Sequence, residues 1–224
     1  KEKDGTILVQ FKGDEKWVRE KANQYGEVPL PPYVKDEKHE LETYQTIYAE
    51  HEGSVAAPTA GFHFTIALIQ QLKDKGIEFA EVTLHVGLGT FLPVKTERIE
   101  DHTMHSEWVE LDEANAEKIN RAKREGRRVV AVGTTTVRTL EGIFQLTNGR
   151  WVIPYHGDIN IFIKPGFEFK IVDALITNFH LPKSTLLMLV CTFTGDREFM
   201  LDCYQKAIDE RYRFYSFGDA MLIV

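Results

Sequence analysis

Cysteine is scarce in this chain of 224 residues: Cys191 and Cys203 are the two present, and they form no CxxC pair. That excludes a disulfide framework and suits a reducing compartment, where cysteine behaves as a small buried apolar residue. Long apolar runs are absent as well. The longest, Leu186 to Cys191, falls far short of the roughly 20 residues that a membrane helix needs and reads as a buried helix. Positive charge is not in excess, since 27 Lys and Arg against 34 Asp and Glu leave a formal net charge of −7. A non-specific nucleic-acid coat needs a basic surface to displace counterions, so that class is excluded, whereas a local basic patch for one RNA is not. No secretory signal is visible, and a cytoplasmic location is expected. Lys1 is not a natural start, so an amino-terminal part is expected to be missing.

Hydrophobic residues make up 43 % of the chain, enough to bury a real core. Gly5 to Lys12 is rich in β-branched and apolar residues and reads as a strand. A charged stretch anchored by Trp17 and Val18 follows, and then Pro29-Leu30-Pro31-Pro32-Tyr33, an extended connection. The pattern then changes, which places a domain boundary near residue 33. Thr65 and Asp112 each cap a helix, with Gly76 and Gly126 closing them. Val82, Leu84 and Val86 alternate as a strand. Val129 to Val132 reads as a buried parallel strand, Thr136 to Leu146 as a helix, and Ile159 to Ile163 and Ala174 to Thr177 as strands. Ser184 and Asp196 cap two further helices, and Ala220 to Val224 reads as a core strand. The expected fold is α/β: a layered α/β domain over residues 34–224 with a largely parallel sheet, preceded in residues 1–33 by the end of a β-barrel.

Three expected strands end in small or polar clusters rather than ordinary turns. One runs through His85 into Gly87-Leu88-Gly89-Thr90, one into Gly133-Thr134-Thr135 followed by Arg138, and one into Asn178-Phe179-His180 followed by Lys183 and Ser184. Ligands of open α/β sheets bind outside the carboxyl ends of the strands, where helix amino termini offer free N–H groups. His85, Thr90, Thr134, Asn178 and His180 are therefore expected to line one pocket. Each piece also has a plainer reading. Gly87-Leu88-Gly89 is an ordinary tight turn, and His180 a satisfied structural histidine. Arg138 is a ligand for an anion or a surface residue, and Lys183 binds a carboxylate or phosphate or is a solvated loop lysine. The GxxxxGK[ST] spacing of a P-loop and the GxGxxG of a dinucleotide fold are both lacking. So is HExxH, and His102-x-x-His105 is weak on its own, so no metal is expected. The basic cluster Lys118, Arg121, Lys123, Arg124, Arg127 and Arg128 shares its helix with Glu113, Glu117 and Glu125, which favours a salt-bridged face over an RNA contact.

Together the clusters resemble one family. Ala56 to Phe64 is similar to its AAPTAGLHF segment, with Phe62 for the usual Leu, and Leu84 to Phe91 to its LHVGLGTF. His102 to Glu107 resembles HxMHxE, Val132 to Glu141 VGTTxxRTLE, Thr177 to Ser184 TNFHLPKS, and Tyr212 to Ile223 YRFxSFGDAMLI. Gly26 to Tyr33 and Tyr44 to Ala49 also fit. The segments run in order and resemble the S-adenosylmethionine:tRNA ribosyltransferase-isomerases of queuosine biosynthesis. Gly157 to Gly166 departs from the family's GWTDIFIxPG. The family's first part, an α/β portion followed by most of an inserted β-barrel, has no counterpart here.

The resemblance implies transfer and isomerisation of the ribosyl group of S-adenosylmethionine onto the aminomethyl group of a deazaguanine at the tRNA wobble position. Epoxyqueuosine-tRNA forms, and adenine and methionine leave. S-adenosylmethionine is a substrate, no further cofactor is needed, and the partner is a tRNA with a GUN-type anticodon met by a monomer. The implied catalytic residues are His85, His180, His105 and His63. The implied substrate-binding residues are Thr59, Gly87, Gly89, Thr90, Glu107, Gly133, Thr134, Thr135, Arg138, Asn178, Lys183 and Asp219. Such chemistry needs a base for a carbon beside the sulfonium, a donor for the departing adenine, and N–H groups or a cation for the methionine carboxylate. The alternative is a non-catalytic tRNA- or nucleotide-binding module; a third reading is a metal-dependent hydrolase.

Overall fold

Side-chain caps set most helix starts. Asp14 opens α1 (Glu15–Tyr25), its carboxylate accepting the Trp17 N–H at 2.8 Å. Thr65 opens α2 (Ile66–Asp74) and Asp112 opens α3 (Glu113–Arg124). Ser184 and Asp196 open α5 (Thr185–Thr194) and α6 (Arg197–Asp209). Each such cap satisfies an N–H that the helix leaves free, worth about 1 kcal/mol. Between them, α4 (Thr134–Leu146) follows Gly133 with no side-chain cap. The computed structural model describes residues 9–26, 30–31, 44–87, 98–102, 104, 106–147 and 149–224.

The strands are β1 (Thr83–His85), β2 (Glu107–Leu111), β3 (Val130–Val132), β4 (Tyr155–Ile159), β5 (Ala174–Asn178) and β6 (Ala220–Ile223). They form two three-stranded sheets, ordered β1-β2-β4 and β3-β5-β6. Helix and strand alternate as expected of an α/β fold. The expectation of a largely parallel sheet is corrected: among the described residues only β3 and β5 run parallel, and the other three pairings are antiparallel. The reason lies in the connections. One crossover helix returns a chain to run parallel, but β5 reaches β6 through two helices, α5 and α6, which reverse it again. β2, unforeseen in the sequence, pairs with both β1 and β4.

Two strand boundaries also differ from expectation. The strand expected over residues 159–163 ends at Ile159, and Ile161 and Ile163 bury themselves from an irregular segment beyond it. The last strand, expected in the core, joins it with one face only: it ends the order β3-β5-β6 among the described residues, and Met221 packs against the core. Ile223 is buried, whereas Leu222 is 62 % exposed. The charged stretch after Gly13 is the helix α1, none of whose residues is buried. Of the strand expected over residues 5–12, residues 5–8 lie outside the described residues, and residues 9–12 form no strand.

The core gathers on α4. Val137, Leu140 and Ile143 pack with Val109 and Leu111 of β2, Leu175 of β5, and Leu189 and Val190 of α5. Gly142 lets α4 approach β4, for a Cβ there would fall 2.5 Å from Ile159 Cγ2. Glu141, 1 % exposed, accepts the N–H groups of Lys170, Ile171 and Val172 at 3.0 to 3.2 Å. A buried carboxylate is tolerable only with such donors. This one fastens the segment entering β5 to α4.

Candidate active site

The first cluster forms where β3 and β5 end side by side. Gly133 has φ 92°, which an L side chain resists, and its N–H donates to Ile176 O at 2.8 Å. The chain thereby leaves β3 and at once starts α4, with Thr134 and Thr135 buried in its first turn. Because no side chain caps this helix, its first N–H groups and the positive end of its dipole are left for other acceptors. A 3₁₀ turn, Thr59–His63, lies against this start: Ala60 Cβ is 3.8 Å from where a Gly133 Cβ would sit.

Asn178 ends β5, buried. Its Nδ2 donates to Tyr215 O at 2.9 Å, while its Oδ1 is buried without a partner among the described residues. Its bond fixes the loop Arg213–Asp219, which closes on itself. Asp219 Oδ2 accepts the Arg213 N–H at 2.7 Å and Oδ1 takes the guanidinium at 2.6 Å. The hydrogen bonds from Arg213 hold the Asp219 carboxyl below its ordinary range, and the charge of His63 adds to the effect. The loop carries Phe217 to within 5.9 Å, ring to ring, of both Phe62 and Tyr44. His63, next to Phe62, has Nε2 buried with no hydrogen-bond partner among the described residues. Thr59, at the start of the same turn, is half-buried.

The second cluster lies on the other sheet. His85 on β1 faces Trp108 on β2, their rings 4.9 Å apart, and its Nδ1 is buried without a partner among the described residues. Gly53 closes the Nδ1 side. From there residues 54–56 run along the end of β1, with Val55 N–H to Val86 O at 3.0 Å, and lead to the Thr59–His63 turn. Next to Trp108, Glu107 pairs with Arg138 of α4 at 2.7 Å, and Arg138 Nε donates to Ile161 O at 3.3 Å. The two side chains are 6 % and 7 % exposed. Arg138 is thus neither a surface residue nor turned to the mouth of the first cluster. It ties α4 to β2.

The expected convergence is realised in part. Thr134 and Asn178 stand at adjacent strand ends. His85 belongs to the antiparallel sheet, because its strand pairs with β2. His180 is turned inward: Nε2 lies 2.9 Å from Thr177 Oγ1, the His180 backbone N–H donates to the Tyr204 hydroxyl at 3.0 Å, and burial lowers the ring's pKa to about 4. Lys183 is exposed, at φ 56°, and Gly87 is exposed too. Gly89, Thr90 and His105 lie outside the described residues. In the basic cluster, Arg121 pairs with Glu78, Lys123 with Asp173, Arg124 with Glu117 and Arg127 with Glu125, which makes it a salt-bridged face. No group of three or more potential metal-ligating side chains is gathered among the described residues. Trp108 and Gly53 were missed in the sequence. Trp-Val-Glu-Leu alternation after Glu107 was the available signal.

The chain is 61 % identical over 202 residues to the S-adenosylmethionine:tRNA ribosyltransferase-isomerase of Carboxydothermus hydrogenoformans, covering 90 % of this chain and 59 % of that one. It is 55 % identical over 222 residues to the enzyme of the same name from Thermotoga petrophila, covering 99 % and 64 %. The chain therefore spans about three-fifths of the length of these relatives. The crystal structure of S-adenosylmethionine tRNA ribosyltransferase from Thermotoga maritima matches with a TM-score of 0.57 and 46 % identity, over 74 % of this chain and 51 % of that one. The family described as queuosine biosynthesis protein matches residues 1–223, and the chain belongs to that family.

Proposed function

We propose that the chain carries part of the active site of an S-adenosylmethionine:tRNA ribosyltransferase-isomerase. In that reading it moves and isomerises the ribosyl group of S-adenosylmethionine onto the aminomethyl-deazaguanine at the wobble position of a tRNA with a GUN-type anticodon. Epoxyqueuosine-tRNA is the product, and adenine and methionine are released. The observation that carries the reading is the identity above 50 % to relatives of that name, over nearly the whole of this chain. The geometry supports it with an uncapped helix start beside buried hydroxyls, at Thr134 and Thr135, suited to a carboxylate or ribose oxygens. His63 and His85, each with a buried nitrogen that has no partner among the described residues, and Asn178, whose Oδ1 has none either, add polar groups suited to binding a ligand. His180 is engaged within the protein and suits a structural part better than an acid–base one.

In the same reading the protein is a cytoplasmic monomer that needs no metal, and residues 1–33 close a barrel domain beside the α/β domain of residues 34–224. The second reading is a tRNA- or nucleotide-binding module without turnover. Mass spectrometry of substrate tRNA incubated with S-adenosylmethionine separates the two, run on this chain and on a full-length relative. Epoxyqueuosine with this chain supports the enzyme. Binding without product supports the module.

A further inference from the structure

We infer that His85 acts as a hydrogen-bond donor through Nε2, and that Gly53 and Trp108 are the positioning residues that impose this role. The inference rests on the proposed reaction only for what the donor meets; the state of the ring stands on geometry. Neutral imidazole carries one N–H and one bare nitrogen. Nδ1 of His85 is buried and has no partner among the described residues. A buried N–H without an acceptor is rarer in proteins than an under-satisfied acceptor, so the proton belongs on Nε2.

Two neighbours keep the ring in this pose. Trp108, directly opposite on β2, lies 4.9 Å away with its plane at 48°. Gly53 closes the Nδ1 edge: a Cβ there would stand 2.5 Å from Nδ1 and 2.6 Å from Cε1, and its φ of 142° also resists any side chain. No residue other than glycine leaves the imidazole where it is. A neutral ring with its proton on Nε2 donates without becoming a cation, which would need a second N–H on the sealed Nδ1. Such a donor suits the departing adenine, whose ring nitrogen gains electron density as its bond to ribose breaks. No bond to His85 forms or breaks.

The test has two arms. In the ¹⁵N-labelled chain, two-bond proton–nitrogen correlation spectra read which ring nitrogen carries hydrogen. The expected result at neutral pH is a protonated Nε2 and a bare Nδ1, with this fixed pattern averaged in Gly53→Ala. Trp108→Leu serves the same purpose should Gly53→Ala not fold. A protonated Nδ1 in the unmodified chain overturns the inference, as does an unchanged pattern in the variants. In a full-length relative, His85→Gln places an amide N–H near the position of Nε2 but cannot act as a base. It is expected to keep turnover within about tenfold, against a loss of about a hundredfold or more in His85→Ala. Equal losses would make His85 a base and overturn the donor role. So would full turnover in His85→Ala. Absence of turnover in the unmodified full-length protein sinks the proposed reaction alone, since the spectra decide the ring's state independently.

Discussion

Replacing Glu107 by Ala takes a carboxylate away from a charge inside the protein. The Arg138 guanidinium is 7 % exposed, and it points at the Glu107 carboxylate from 2.7 Å. Guanidinium keeps its proton at any ordinary pH, so it cannot escape the loss of its partner by becoming neutral. Removing one member of a buried ion pair costs about 3–5 kcal/mol. At about 2–4 °C per kcal/mol for a chain of this size, the melting temperature should fall by about 6–20 °C. Replacing both residues with apolar ones of similar size, Glu107→Leu with Arg138→Met, removes both buried charges and should recover most of that loss. Differential scanning calorimetry of Glu107→Leu, Arg138→Met and the double variant completes the cycle, with Glu107→Ala measured beside it. A Glu107→Ala shift below about 2 °C, or a double variant as damaged as the sum of the singles, would refute the view that this pair is buried and coupled.

The remaining predictions concern His180, Glu141 and Gly133. His180 titrates near 4 in the folded state and near the ordinary 6.5 when unfolded. The native state is therefore at full strength above pH 6.5 and loses stability as pH falls from 6.5 to 4, because only the unfolded chain takes up the proton. Urea melts at pH 7 and 4.5 should show about 2–3 kcal/mol of loss that His180→Gln does not share; equal pH dependence in the two would show His180 to be solvated. Glu141→Ala leaves the buried N–H groups of Ile171 and Val172 without acceptors, at about 1–3 kcal/mol each, and amide exchange at residues 170–172 should speed up ahead of the rest. Gly133→Ala forces a side chain into positive φ and should cost about 1–2 kcal/mol by thermal melting, without a steric clash, since the nearest atoms are 3.6 Å away.

What the sequence disclosed was local. Thr65, Asp112, Ser184 and Asp196 each cap the helix they were expected to cap, because a hydroxyl or carboxylate and the N–H three residues on need nothing else to meet. Strand direction was not disclosed. It depends on whether one helix or two intervene before the chain returns to the sheet, and on the partner a strand finds. β2 was overlooked because its first residue is Glu107, which reads as solvent-facing until Arg138 is seen beside it. The same pairing settles Arg138, which the sequence left open as an anion ligand or a surface residue. The meeting of Thr134 and Asn178 at adjacent strand ends was readable as motif, but the inward turn of His180 was not, since Tyr204 arrives from another helix, α6.

The approach of α4 to β4 has an evolutionary consequence. Gly142 admits no Cβ while Ile159 keeps its γ2 methyl, the atom 2.5 Å from where that Cβ would fall. Ile, Val and Thr all carry that branch; Leu does not. Gly142→Ala alone gains roughly 0.5–1 kcal/mol of helix propensity and meets an overpacking penalty of about 1–3 kcal/mol. Ile159→Leu first, a nearly volume-conserving change, opens the way for Ala at 142. The two positions thus form an ordered path, easier in one direction than in the other, and descendants of this fold should vary at residue 142 more readily after they have varied at residue 159.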